Sequence, residues 1–242
     1  MSKLLAITAL IFAAALWATN GIAARLIGDA FQPIFLSWAR WLVALLILLP
    51  FAWMERIAIQ QAFRSNWRLI GLLSALANVP QSALVYKGLQ TTTVINVGLL
   101  NSTIPVLVLI LGHFFFRRRM RLRETIGVLT SLIGVCVLLF EGSTNRLFTF
   151  SLNKGDVFAF IAMLTWAIYT LLISRKPNTL SLLSFVFCMS LVGVVICAPF
   201  VLVEAWFFKP PEFRINTLLP LIYIAVGPTL AGTLCLHMAQ HI

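Results

Sequence analysis

Residues 180–203 read LSLLSFVFCMSLVGVVICAPFVLV, twenty-four consecutive positions without one charged side chain. At ~1.5 Å per residue such a helix rises about 36 Å, enough to cross the roughly 30 Å of hydrocarbon in a bilayer. A membrane β-strand would be shorter and would alternate apolar with polar residues, whereas this run is continuous. The stretch is therefore a membrane-spanning helix.

Working outward, seven further segments read the same way: 4–24, 33–53, 69–89, 94–116, 125–140, 157–174 and 218–238. The fold class follows as an all-α polytopic membrane protein with about eight transmembrane helices. The first segment follows Lys3 but is long for the apolar part of a cleaved leader. Composition agrees. Of 242 residues, 61% are hydrophobic and only 10% charged, and the mean hydropathy is +0.99. A soluble globule of this length cannot hide that much apolar surface. A soluble enzyme, a disordered chain and a nucleic-acid-binding domain are excluded. The net charge of +11 suggests no nucleic-acid partner, because nearly all the charges lie between the spans.

Lys and Arg also give the orientation. With the N-terminus inside, eleven cations fall on the inner side: Lys3, Arg56, Arg64, Arg68, Arg117, Arg118, Arg119, Arg121, Arg123, Arg175 and Lys176. Six fall outside: Arg25, Lys87, Arg146, Lys154, Lys209 and Arg214. The positive-inside rule then predicts a multi-pass protein of the cell's inner membrane with both termini cytoplasmic. The basic run at 117–123 reads as a cytoplasmic turn near anionic headgroups. Cys136, Cys188, Cys197 and Cys235 all fall within apolar spans without metal-ligand spacing, so they read as small packing residues. The sequence calls for no metal and no cofactor.

The chain also carries an internal repeat. Leu16-Trp17-Ala18 in the first span answers Thr165-Trp166-Ala167 in the sixth, with Trp17 and Trp166 149 residues apart. Leu69-Ile70-Gly71 answers Leu221-Ile222-Tyr223 at 152. The unit is five spans long, and an odd number inverts the second copy across the membrane. The expected organisation is a first repeat over 1–145 and an incomplete second repeat over 154–242, its last two helices missing. Such a chain is either a truncated ten-helix protein or one that completes itself by pairing with a second copy.

Four stretches then carry a family resemblance: Trp17 to Asn20; Pro33 with Arg40 inside the same span; Ala83-Leu84-Val85-Tyr86-Lys87-Gly88-Leu89 running on through Val97, Asn101 and Pro105 to Gly127 and Gly134-Val135; and Gly155-Asp156 followed by Trp166-Ala167-Ile168-Tyr169. In order and spacing the chain resembles the EamA-like drug/metabolite transporter superfamily. That resemblance implies ten helices in two inverted five-helix repeats and a carrier of small organic solutes. Two departures stand out. A Glu-Arg pair common in the family at the inner end of the fourth helix is here Arg117-Arg118-Arg119, and the ninth and tenth helices, of which the ninth lines the family's cavity, have no counterpart.

Polar residues inside hydrocarbon are costly and face a partner or a cavity. The first span holds Trp17 and Asn20, the third Asn78 and Gln81 around Pro80, the fourth Asn96 and Asn101, and the sixth Trp166 and Tyr169. The pairs Trp17/Asn20, Asn78/Gln81 and Trp166/Tyr169 are three apart and share a helical face. Taken together these eight predict a wet, aromatic-walled pocket for solute; taken singly each reads as a helix–helix contact. Arg40 is the intramembrane charge. It reads as a contact for a substrate anion, or as a structural group that snorkels or pairs with Asp29. The seven acids lie at span ends or in loops, so no carboxylate is placed mid-membrane to relay protons.

Three functions compete. The first is a membrane carrier for small metabolites or drugs, working by alternating access of the two repeats. The second is a non-functional fragment or an assembly partner of a transporter. The third, a membrane-embedded enzyme, needs a nucleophile with a base or a carboxylate pair, and the spans hold neither.

Overall fold

In the computed structural model the described residues are 3–116, 122–139, 153–176 and 180–239. Among them every regular element is helical. Helix α1 (Lys3–Ile27) is followed by a short 3₁₀ turn (Gly28–Ala30). Then come α2 (Pro33–Met54), α3 (Arg56–Asn78), α4 (Leu84–Leu89), α5 (Val94–Asn101), α6 (Ile104–Phe116), α7 (Leu122–Leu139), α8 (Lys154–Leu172), α9 (Leu182–Phe207), α10 (Ile215–Ile224) and α11 (Gly232–Ala239). Seven stretches are long and apolar enough to cross a membrane: Leu4–Ala30, Pro33–Met54, Arg56–Leu89, Val94–Phe115, Lys154–Arg175, Leu182–Phe207 and Ile215–Met238. They coincide with seven of the eight sequence-derived spans. The remaining one, at 125–140, coincides with the 18-residue helix α7, its last residue lying outside the described residues. So does most of the basic turn at 117–123.

Local chemistry sets the ends. Pro33, which has no N–H to satisfy, opens α2. Thr93 accepts the Asn96 N–H at 3.1 Å to cap α5, Asn153 accepts the Gly155 N–H to cap α8, and Ser181 accepts the Ser184 N–H to cap α9.

Three spans are interrupted internally. Helix α3 begins at Arg56, well ahead of the span expected from residue 69, and is kinked at Asn66, whose angles are non-helical (φ −132°, ψ 22°). Between α5 and α6 the Ser102 and Thr103 hydroxyls donate to the Leu99 and Leu100 carbonyls, both at 2.6 Å. Pro105 has no N–H to give the Asn101 carbonyl, and that is why the fourth span splits there. π-Helical turns occupy Val79–Ala83, which contains Pro80, and Ala225–Ala231, which contains Pro228. Proline removes the i→i−4 donor, and the backbone widens to i→i+5 bonding to recover partners.

Two compact units result: Met1–Val79 with Lys176–Ile242, and Pro80–Arg175. These units are defined by helix contacts and differ from the repeats expected over 1–145 and 154–242. In the first unit α9 packs on α2 and α3, and α1 packs on α10 and α11. In the second, α8 packs on α4, α5 and α6, with α7 against α5 and α6. Small and polar residues, among them Ser37, Ser74, Asn78, Ala159, Ala162 and Ser190, share the interiors with Ile70, Leu73, Met163 and Phe185, while Leu4, Ile11, Phe12, Leu46 and Leu202 lie exposed. Small buried residues let helices approach closely, and an apolar exterior suits a hydrocarbon solvent.

Candidate functional site

In the first unit the aromatic of α1 is committed to a helix break. The Trp17 indole N–H donates to the Pro228 carbonyl at 2.9 Å, inside the π-helical turn. Its ring also covers Gly232, where an added Cβ would lie 2.7 Å from the indole nitrogen. Two residues along, the Thr19 and Tyr223 hydroxyls meet at 2.5 Å. Asn20 is half-buried on the same helix. α1 is thus fastened to the broken eighth span through polar groups that ordinary helix packing does not require.

Asn78 is fully buried. Its side-chain amide donates to the Met189 carbonyl at 3.1 Å, its backbone carbonyl accepts the Ser37 hydroxyl at 3.1 Å, and its side chain fills the notch left by Gly193. One amide therefore joins α2, α3 and α9. The π-helical turn begins directly after Asn78. Gln81 belongs to the other unit, half-buried, its side-chain oxygen accepting the Ser82 hydroxyl at 2.9 Å.

Arg40 is only 7% exposed and lies 5.4 Å from the centroid of the neighbouring Trp41 ring. Asp29 is exposed. The guanidinium is held among the helices of this unit instead of reaching outward.

Two glutamates organise α2 and α9. Glu204 is 7% exposed, and its two oxygens accept the Ile34 and Phe35 N–H groups at 3.0 and 2.7 Å, closing the N-terminus of α2. Phe31, Phe35 and Phe213 pack ring to ring beside it, at 5.2 to 6.0 Å. At the opposite ends of these helices, the Ser181 hydroxyl, then that of Ser184, holds the Glu55 carboxyl below its ordinary range. These serines open α9. Each helix therefore ends on an acid that serves the other's positive end, and the pair runs antiparallel.

In the second unit the site residues gather at two places. Asn96 donates to the Thr92 hydroxyl at 3.3 Å and to Asp156 at 3.5 Å, and the Thr92 hydroxyl donates to the same Asp156 oxygen in a short bond. Asp156 is buried in the first turn of α8, where the helix dipole favours an anion. Asn153 ties this corner to the Thr91 carbonyl. The chains cross at two glycines: an added Cβ on Gly155 would come 2.5 Å from the Gly88 carbonyl oxygen. Farther along α8, Trp166 and Tyr169 lie with ring centroids 4.8 Å apart, tilted 34°. Tyr169 is fully buried and Trp166 half-buried. Asn101 is half-buried at the last position of α5, where the span breaks.

Within each unit the expected site residues have partners of their own. Trp166 pairs with Tyr169, Asn96 joins Asp156, Trp17 joins Pro228, and Asn78 joins α2, α3 and α9. Reading the acids as span-end residues misses that Asp156 and Glu204 are buried and engaged. The usable signal is spacing: Glu55 and Glu204 are 149 residues apart, as are Trp17 and Trp166. Pro228 was likewise visible, 148 residues after Pro80. Of the four cysteines, Cys188 and Cys197 are buried and free, Cys235 is half-buried and free, and the Cys136 side chain lies outside the described residues.

Comparison with known proteins gives this architecture a context. The EamA-like transporter family profile matches residues 4–140 and 153–242. An uncharacterised transporter of Buchnera aphidicola is 22% identical over 99% of this chain and 79% of its own length. One from Archaeoglobus fulgidus is 26% identical over 92% of this chain and 74% of its own. Protein PagO of Salmonella typhimurium is 25% identical over 93% and 72%. A crystal structure with a TM-score of 0.67 and 18% identity covers 97% of this chain and 78% of the solved chain, and shares the fold. With seven apolar crossings and a family match over nearly its whole length, this is a multi-pass membrane transporter, and the chain belongs to the EamA-like transporter family.

Proposed function

We propose that the protein moves a small organic solute across the inner membrane by alternating access of two inverted repeats, residues 1–145 and 154–242, with the N-terminus cytoplasmic. The observation that carries this reading is the pair of proline-centred π-helical turns, Val79–Ala83 and Ala225–Ala231. They stand in the third and eighth spans, which the five-span repeat makes counterparts, with Pro80 and Pro228 148 residues apart. Interrupted helices in corresponding positions of two repeats are where secondary transporters handle their cargo, because freed backbone groups can meet a solute there.

The solute contacts we assign are the half-buried Trp17, Asn20, Gln81, Asn96, Asn101 and Trp166, while the fully buried Asn78 and Tyr169 position the helices that carry their neighbours. Aromatic faces and amides suit a neutral or zwitterionic molecule of metabolite or drug size. The buried carboxylates of Asp156 and Glu204 are occupied by Thr92 and Asn96, and by backbone N–H groups. This supports facilitated diffusion or exchange over carboxylate-based proton antiport.

The test is counterflow in liposomes containing the purified chain, with labelled amino acids, nucleobases, sugars and cationic dyes as separate probes. Accumulation of one class, lost in Trp166→Ala at unchanged protein level, is expected. Uniform failure with all classes, while the protein remains monodisperse and helical, overturns the reading and favours the assembly-partner alternative.

A further inference from the structure

The run Arg56–Leu89 is 34 residues long. Held straight it would rise about 51 Å, against roughly 30 Å of hydrocarbon. Residues 69–89 suffice for the crossing, so residues 56–65 are surplus. The backbone break at Asn66 separates them from the rest of α3. This surplus stretch of helix is amphipathic. Ile59 and Ala62 are buried, while Arg56, Gln60, Gln61 and Arg64 are exposed.

Its flanks carry two matched pairs. The Arg56 guanidinium sits 5.4 Å from the centroid of Trp53, and that of Arg68 the same distance from Trp67. Both indoles are left largely uncovered, Trp53 at 68% and Trp67 at 61%. An indole has an apolar body and one polar N–H, and it settles where hydrocarbon meets headgroup. A guanidinium stacked on it keeps a planar fork of donors that matches phosphate geometry. The acid of this stretch, Glu55, is turned onto Ser181 and Ser184 and leaves the three arginines without a neutralising neighbour on their own segment. Exposed apolar residues beside them, Met54 and Ile57, have the same need for lipid.

We propose that residues 53–68 form a headgroup-binding edge: the segment 56–65 lies in the membrane interface, and Arg56, Arg64 and Arg68 bind the phosphates of anionic phospholipids. The partner is the lipid surface, recognised by negative charge and phosphate together with the depth at which the two indoles sit. The proposal holds for either direction of transport and does not depend on the solute.

The experiment uses the full chain in nanodiscs of phosphatidylcholine, with and without phosphatidylglycerol. Thermal unfolding and native mass spectrometry of retained lipid are the readouts. Phosphatidylglycerol is expected to raise the unfolding temperature and to be retained in preference to phosphatidylcholine. Each arginine near an anionic surface is worth roughly fivefold in lipid affinity, so R56Q/R64Q/R68Q should weaken retention by about a hundredfold. R56K/R64K/R68K keeps the charge and should retain part of it. If the triple glutamine variant does not survive extraction, Arg64→Gln, at an exposed position, reads the same effect at about fivefold. An unchanged preference for phosphatidylglycerol in these glutamine variants overturns the proposal. So does equal stabilisation of the wild-type chain by soluble glycerol phosphate, which would make the site one for a free anion.

Discussion

Glu204 closes the N-terminus of α2 with both its oxygens, while Glu55, 149 residues earlier in the chain, rests on the serines that open α9. The two acids stand at opposite ends of one antiparallel helix pair and do the same work. The inverted repeat proposed above would produce this kind of reciprocity, the local solution at one end of the pair recurring, turned over, at the other.

Glu204 is the stronger of the two pins because it is buried. Replacing it with alanine removes two charge-assisted hydrogen bonds and strands two backbone donors at the start of α2. The expected cost is about 3 kcal/mol. Glu204→Gln, able to accept one of the two bonds, should lose roughly half of that. Thermal unfolding in detergent, compared with wild type, measures both.

Glu55 gives a pH dependence. Its folded-state carboxyl titrates below its unfolded value, so its contribution is present above the unfolded carboxylate range and fades as pH falls through the folded one. Unfolding temperature should therefore decline on acidification more steeply in wild type than in Glu55→Gln. Parallel curves would separate Glu55 from the α9 serines.

Glycine positions give a contrast between crowded and open surroundings. A Cβ at Gly193 overlaps the Asn78 side chain, and one at Gly155 presses on the backbone of Gly88 and Thr92. Gly193→Ala and Gly155→Ala should each cost about 1–3 kcal/mol. Around Gly71 nothing lies within 4 Å. Gly71→Ala should be neutral or stabilising by about 0.5–1 kcal/mol, through helix propensity alone. Unfolding of the three variants side by side checks this ordering.

Trp17→Phe keeps a ring over Gly232 but loses the N–H that meets the Pro228 carbonyl. A loss of about 1 kcal/mol in stability is expected. A larger proportional loss in counterflow is expected than from Thr19→Val, which removes only the contact to Tyr223. Equal losses in the two variants would make Trp17 a packing residue only.

The spans were legible because a bilayer imposes a length: the run at 180–203 has no other stable home. The breaks were partly legible. Pro80 and Pro105 announced themselves, but proline does not say whether a helix kinks, stops or widens, and π-helical geometry emerged only once Val79–Ala83 had neighbours. The kink at Asn66 has no such marker, and neither does the start of α3 at Arg56, ahead of the span read from residue 69. The candidate site was least legible. Spacing of three pairs Asn78 with Gln81 on a regular helix, but spacing says nothing of the partners in other helices, and Asn78 meets Ser37 and Met189. Asp156 and Glu204 looked like span-end acids because burial depends on which helices come to cover an end, and that is a tertiary property.

The central claim is that the second half of the chain repeats the first upside down in the membrane. Gln60 and Lys209 are both exposed and 149 residues apart, the interval that separates Trp17 from Trp166. Single cysteines at these two positions, probed with a membrane-impermeant thiol reagent in intact cells and in inverted vesicles, test it directly. Labelling of residue 209 from outside and residue 60 from inside is the predicted result; labelling of both from the same face would contradict it.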